Sequence, residues 1–277
     1  MIVNGNLIAQ NIKNELKSQI AGLSTPLSVA IVYVGNNPAS ESFISRKIKF
    51  GSDIGVAVDV HSFKDDVSQE KLVEHVREIS EGKKYQGIVV QLPLPETLDT
   101  DKVLNIVPSE KDIDVLSETV VQMFKEGKID ILPPVAGAVK EVLTYADVLL
   151  ENKNIVIVGK GRLVGAPVYD MFKNEGMKSA TLEEGGEDFY KIIKEADAII
   201  SGTGVSGLIK PDMIKEGVVI IDAGTSELKG KLSGDADPQC VEKASVFTPV
   251  PGGIGPITVA VLFKNLLLLA EKTYNKR

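Results

Sequence analysis

Residues 154–167 read NIVIVGKGRLVGAP, an apolar and largely β-branched run, Ile155 to Val158, that enters a glycine turn and then a helix-compatible segment. A strand, a glycine turn and a helix in that order open the nucleotide-binding half of a doubly wound parallel sheet. Gly159 and Gly161 permit a tight turn and the close approach of a pyrophosphate to backbone N–H groups, Gly165 permits close packing of the helix, and the helix N-terminus adds partial positive charge. The spacing G-x-G-x-x-x-G is one residue longer than the usual fingerprint, so the turn reads either as a phosphate cradle or as a structural strand-to-helix junction. About 20 residues on, where a carboxylate favours NAD and a basic group favours NADP, stand Glu183 and Glu184. Lys160 and Arg162 in the turn offer the opposite signal, a pair of cations for a 2′-phosphate.

Outward from this turn the same alternation continues. Downstream come KSATLE, a helix through Ile192, DAIISGTG and VVIIDAGT, and upstream lies the helix-like GAVKEVLTYADVL. Further upstream, Ile8, Ile12, Leu16 and Ile20 form one stripe of an amphipathic helix. LSVAIVYVG, a helix from about Pro38, AVDVHSF, SQEKLVEHVREISEG with Leu72, Val76 and Ile79 on one face, and GIVVQLPLP follow. Continuous apolar strands alternating with helices predict parallel sheets with helical crossovers. Between Pro108 and Gly137 the stretches PSEKDID, EGKID and LPP break the pattern, which places a domain junction there. The expected fold is therefore α/β in two domains, an N-terminal α/β domain and a Rossmann-like doubly wound nucleotide-binding domain.

Composition limits the function classes. With 277 residues, 43% hydrophobic and 25% charged, the chain is that of a globular protein long enough for two cores. The net charge of −7, with no basic cluster longer than Arg46-Lys47-Ile48-Lys49, argues against nucleic acid as a partner. The single cysteine, Cys240, excludes an intrachain disulfide and a thiolate metal cluster, so no metal is expected and a reducing cytoplasm is. MIVNGNLIAQNIKNEL lacks the apolar run and cleavage site of a signal peptide. Val259 to Ala270, interrupted by Lys264 and Asn265, falls short of the roughly 20 residues of a membrane span and reads as a buried helix, so no membrane association is expected.

Four further stretches carry candidate chemistry. Phe43 and Lys47 lie one helical turn apart and project from one face, as a site wall or as a core ring beside a solvated charge. Gln91, after the strand GIVV, is placed where open α/β sheets bind ligands, beyond the carboxyl end of a strand, or simply ends that strand. Asp112 and Asp114 of PSEKDIDVL are surface charges or, if buried, bidentate acceptors for a guanidine-like ring edge. FTPVPGGIGPITVAVL is a rigid connector or a loop that covers a ligand.

Taken in order and spacing, VGNNPAS, Lys47, VQLPLP, KDID, VGKGRLVG and TPVPGGIGPIT resemble the methylenetetrahydrofolate dehydrogenase/cyclohydrolase family over nearly the whole chain. The resemblance implies oxidation of 5,10-methylenetetrahydrofolate by hydride transfer to a nicotinamide cofactor, then hydrolysis of the methenyl product to 10-formyltetrahydrofolate. It assigns Lys47 as the central catalytic residue, Gln91 as the group that orients it and Asp114 as the holder of the pterin. Phe43, Leu92, Pro93, Pro251, Gly252 and Gly253 are assigned to substrate. Gly159, Lys160, Gly161, Arg162, Leu163, Gly165, Thr203, Gly204 and Thr258 are assigned to the dinucleotide. Residues 1–136 with 257–277 would form the folate-binding catalytic domain and 137–256 the NADP-binding domain, in a cytoplasmic homodimer.

Three departures from the family pattern bear on this. Phe43 stands where the family usually has Tyr, which keeps a stacking ring but removes its hydroxyl, and implies as the alternative a dehydrogenase with weak or absent cyclohydrolase activity. KDVDG becomes KDIDV, with Val115 for glycine, and the usual CTP before glycine becomes PPVAG at 133–137. The common GRS turn becomes Gly159-Lys160-Gly161, which keeps a positive charge and favours NADP over NAD, against Glu183 and Glu184. A shikimate-type two-domain dehydrogenase leaves PGGIGPIT unexplained, and a non-catalytic folate or nucleotide binder has only these departures in its favour.

Overall fold

The computed structural model describes residues 1–184, 188–228 and 231–274. The chain divides into two compact units, one of residues 11–132 with 259–277 and one of residues 1–10 with 133–258.

The first unit is built on three parallel strands in the order β2-β1-β3. Helix α1 (Gly5–Ala21), which enters this unit at residue 11, buries Ile8, Ile12, Leu16 and Ile20, the stripe its sequence spacing predicts. The central strand β1 (Ser28–Val34) is buried from Val29 to Val34, as a strand paired on both sides and covered on both faces must be. Helix α2 (Pro38–Ile54) starts where Asn37 accepts a bond from the Ser40 N–H and Pro38 fixes the first turn, and it stops at Gly55 in a left-handed conformation. Strand β2 (Ala57–Phe63) is an edge strand and carries polar residues. There Tyr85 donates to Asp59 at 2.9 Å while His61 contacts Tyr85 at 3.1 Å and His75 at 2.9 Å. Helix α3 (Gln69–Glu81), capped by Ser68, buries Leu72, Val76 and Ile79. Strand β3 (Gly87–Val90) is fully buried, and the short α4 (Thr100–Leu104) and α5 (Glu118–Lys125) follow.

The second unit carries five parallel strands in the order β10-β7-β6-β4-β5. After α6 (Pro134–Tyr145) come β4 (Ile155–Val158), α7 (Gly165–Asn174), β5 (Ser179–Leu182), α8 (Phe189–Glu195), β6 (Ala198–Ser201) and β7 (Val219–Asp222). A two-stranded antiparallel hairpin, β8 (Ser226–Leu228) with β9 (Lys231–Ser233), precedes β10 (Val246–Phe247). The chain leaves β4 toward β5 on one side and β6 on the other, so the turn after β4 sits at the reversal of strand order, the place where such sheets bind ligands. The N-terminal residues belong to this unit because the Val3 N–H bonds the Phe247 carbonyl at 2.8 Å and the Phe247 N–H bonds the Met1 carbonyl at 2.9 Å.

The last helix, α9 (Ile254–Tyr274), has 21 residues and is long and apolar enough to cross a membrane, which corrects the shorter run read from sequence. Most of its apolar side chains are buried in protein packing. Phe263 stacks on Phe50 with centroids 5.2 Å apart, and Leu262 and Leu266 are buried. Lys264 and Asn265, which interrupt the run, do not break the helix. Asn265 is buried, and its amide donates to the carbonyls of Ile113 at 2.9 Å and Leu132 at 2.7 Å, which satisfies the polar group inside the core.

Candidate active site and dinucleotide turn

In the first unit, Lys47 on α2 donates to Gln91 Oε1 at 3.0 Å. Gln91 lies one residue past β3, where its own N–H still bonds the Val32 carbonyl at 2.9 Å, so the sheet fixes its backbone. Its amide nitrogen donates to the Leu92 carbonyl at 2.8 Å, which leaves the amide oxygen turned to Lys47. The Leu92–Pro93 peptide is cis. Phe43 is one turn before Lys47 on α2, with the Arg46 guanidinium 5.4 Å from its ring centroid.

The two aspartates of KDID separate into different roles. Asp112 is buried and accepts from the N–H groups of Leu116 at 3.1 Å and Ser117 at 2.8 Å and from the Ser117 hydroxyl at 2.6 Å, so it ties the loop to itself. Asp114 is only partly buried and is the charge that faces Lys47. Burial pushes the Asp114 carboxyl up, opposed by Lys47 and reinforced by Asp112. Burial likewise lowers the proton affinity of Lys47, and Asp114 holds it back. The result is an amine nearer to neutrality than a surface lysine, oriented by an amide oxygen and under the charge of a nearby carboxyl. Val115, the residue that replaces a glycine of the family pattern, has φ of 59°, a left-handed conformation that strains a β-branched residue.

In the second unit the glycine turn is explained position by position. Gly159 has φ of 94°, and a Cβ on Gly165 would lie 1.9 Å from the Gly159 carbonyl oxygen, so both glycines are required by the turn. At Gly161 the φ is not left-handed and a Cβ would meet nothing within 4 Å. The fold leaves that glycine without a structural reason, whereas the approach of a phosphate to bare backbone supplies one. The residues present thus fit a dinucleotide. Lys160 and Glu183, the opposing cofactor signals of the sequence, form an exposed ion pair at 3.1 Å. Leu163 is exposed and Arg162 lies beside it in the turn.

The remaining candidates of this unit fall into two loops and the start of α9. Thr203 and Gly204 follow β6, and their N–H groups donate to the buried carboxylate of Asp235 at 2.7 and 2.9 Å. Pro251, Gly252 and Gly253 form a compact turn in which the Gly253 N–H bonds the Pro249 carbonyl at 2.8 Å and the Gly252 carbonyl accepts from the Gly5 N–H at 2.9 Å. Thr258, in the first turns of α9, donates its hydroxyl to the Ile254 carbonyl at 3.2 Å. Sequence reasoning missed Asp235 and its neighbours Ser201 and Asp222. The signal was present, since DAG at 222–224 ends a strand and GD at 234–235 repeats a glycine beside an aspartate, but neither is a familiar motif.

A glycine turn open to phosphate and a lysine of reduced proton affinity define a dinucleotide-using enzyme that carries its own acid–base group. Family models agree on both units. Residues 3–114 match the catalytic domain of tetrahydrofolate dehydrogenase/cyclohydrolase and residues 133–274 match the NAD(P)-binding domain of the same family. The chain belongs to the tetrahydrofolate dehydrogenase/cyclohydrolase family. It is 35% identical to the bifunctional protein FolD of Aquifex aeolicus (strain VF5), over 100% of this chain and 96% of that one. Its fold matches the bifunctional methylenetetrahydrofolate dehydrogenase/cyclohydrolase of Campylobacter jejuni, with a TM-score of 0.94, 32% identity and 99% of each chain covered. A second match is the Trypanosoma brucei enzyme complexed with NADP and an inhibitor, with a TM-score of 0.94, 28% identity and coverage of 99% and 98%.

Proposed function

We propose that this protein oxidises 5,10-methylenetetrahydrofolate to the 5,10-methenyl form with NADP and hydrolyses that product to 10-formyltetrahydrofolate. The observation that carries the reading is the Lys47 amine, desolvated, hydrogen-bonded to Gln91 at 3.0 Å and charge-coupled to Asp114. NADP, when bound, accepts the hydride. The chain's own groups do the rest. Lys47 in its neutral form takes a proton from the water that adds to the cationic methenyl carbon, and Gln91 holds the amine in line for that transfer; the C–N5 bond of the adduct then breaks as its hydroxyl proton passes to N5, leaving the formyl group on N10. Asp114 accepts from the donor edge of the pterin, in which a carboxylate matches two parallel N–H groups. Phe43, Leu92, Pro93, Pro251, Gly252 and Gly253 are assigned to substrate contact.

The turn of Gly159, Lys160, Gly161, Arg162, Leu163 and Gly165, with Thr203, Gly204 and Thr258, is assigned to the dinucleotide. Lys160 supplies the charge for the 2′-phosphate after exchanging Glu183 for it, an exchange made easy because exposed ion pairs are worth about 1 kcal/mol or less. As functional regions, residues 1–136 with 257–277 are assigned to folate and catalysis and 137–256 to NADP; residues 275–277 lie outside those described. Family membership supports a homodimer, the single cysteine supports a reducing cytoplasm, the net charge of −7 argues against nucleic acid, and the burial of most of α9 argues against a membrane partner.

The test is Lys47→Met, which keeps the length and apolar stem but removes the amine. Hydrolysis of the methenyl substrate is expected to fall by at least about 100-fold, the scale of a lost acid–base group, with an unchanged circular dichroism spectrum. Wild-type rates in a folded variant would reject the assignment.

A further inference from the structure

Two carboxylates in the nucleotide unit are buried and have no part in the chemistry above. Asp235 is fully buried and accepts from the Ser201 hydroxyl at 2.6 Å, the Thr203 N–H at 2.7 Å and the Gly204 N–H at 2.9 Å. Asp222 is 2% exposed and accepts from the Gly224 N–H at 2.9 Å and the Ala236 N–H at 2.8 Å. Each therefore holds backbone on a strand terminus or loop other than a regular ladder, and each bond is charge-assisted.

The two segments are fitted to one another. A Cβ on Gly224 would lie 2.0 Å from Asp235 Oδ1, and a Cβ on Gly234 would lie 2.1 Å from Asp222 Oδ2. Each carboxylate occupies the side-chain space that the other segment's glycine leaves empty. Asp222 thereby fixes residues 234–236, and residue 235 of that segment fixes the loop after β6.

That loop touches the glycine turn. A Cβ on Gly202 would lie 2.2 Å from Val164, and a Cβ on Gly159 would lie 3.0 Å from the Gly202 carbonyl oxygen. The backbone at 202–204 is thus the neighbouring wall of the turn assigned to the pyrophosphate. A displacement of a few tenths of an ångström at Thr203 and Gly204 is transmitted to it, because close-packed interiors do not absorb such shifts locally.

We infer that Asp235 is a positioning residue for the dinucleotide, with Asp222 holding the segment that presents it. The inference rests on the assignment of Gly159, Gly161, Thr203 and Gly204 to NADP. Asn at 235 keeps the shape but replaces one acceptor oxygen by an amide donor, which faces N–H or O–H groups that are themselves donors.

The experiment compares Asp235→Asn with wild type in NADP binding by calorimetry, in the NADP-dependent oxidation, and in hydrolysis of the methenyl substrate, which consumes no NADP. The expected result is a rise of about 10-fold or more in Kd and KM for NADP, a smaller change in kcat, and hydrolysis within twofold of wild type. Ser201→Ala removes a single donor and keeps the carboxylate, so it serves where Asp235→Asn does not fold, with an expected rise of about threefold in KM for NADP. Equal losses of oxidation and hydrolysis in the folded variants would assign the network to stability alone and overturn the inference. So would unaltered NADP affinity in the variants while the wild type binds NADP. A wild-type protein that hydrolyses the methenyl substrate but does not bind NADP would instead remove the cofactor assignment, and the inference with it.

Discussion

At the scale of single residues, Asp222 carries an electrostatic load and Val115 a conformational one. Burial pushes the Asp222 carboxyl up to about 6, with Asp235 adding to the rise. The thiol of Cys240, itself pushed up to about 12, feels Asp222 among its neighbours. Because the folded protein binds this proton more tightly than the unfolded chain, the group contributes stability at low pH that is lost as pH rises from the ordinary carboxyl range through about 6. Relative to Asp222→Asn, the wild type is expected to lose on the order of 3 kcal/mol between pH 4 and 7, as a carboxyl held up to about 6 gives up its proton. Urea unfolding of both proteins across that range measures the difference, and a flat difference would refute it. Val115 is buried and left-handed at once. Val115→Gly removes a strain of about 1–2 kcal/mol along with a comparable packing contribution, so its net effect on stability is expected to stay within about 1 kcal/mol. An unfolding midpoint typical of a large core deletion would contradict that balance.

At the scale of elements, the glycine turn separates what folding requires from what a ligand requires. Gly165→Ala places a methyl group against the Gly159 carbonyl and is expected to destabilise strongly. Gly161→Ala meets open space and is expected to leave Tm unchanged while weakening NADP binding at least about tenfold. Calorimetry and thermal unfolding of the pair decide it, and equal NADP affinity in Gly161→Ala and wild type would refute the phosphate assignment. The elements themselves were largely legible because their signals are local. Apolar runs gave β1, β3, β4, β6 and β7, and caps such as Asn37-Pro38 and Ser68 marked helix starts. The length of α9 was not legible, since Lys264 and Asn265 read as interruptions until Asn265 found its carbonyl partners some 130 to 150 residues away in the chain. The Lys47–Gln91 pair was legible only through resemblance to a family, because spacing cannot reveal a contact across 44 residues. The division between Asp112 and Asp114 depended on which of them turns inward, and two alternating aspartates in a loop carry no such information.

At the scale of the whole molecule, the charge of −7 is set against ligands that are themselves anionic. The net charge does not favour their long-range attraction, so the proposed binding would draw on Lys160, Arg162 and oriented backbone N–H groups acting over a few ångströms. The proposed homodimer belongs to this scale too. Sedimentation equilibrium is expected to report twice the 29.7 kDa of one chain, and a monomer at micromolar concentration would reject it.

The interlocked Asp222, Gly224, Gly234 and Asp235 also constrain how this sequence can drift. Any side chain added at either glycine collides with a carboxylate at 2.0 or 2.1 Å, and loss of either aspartate strands backbone donors facing a void. A change at any one of the four positions therefore alters what its neighbour across the interlock can accept, and the four are expected to behave as one unit, with effects on stability that do not add.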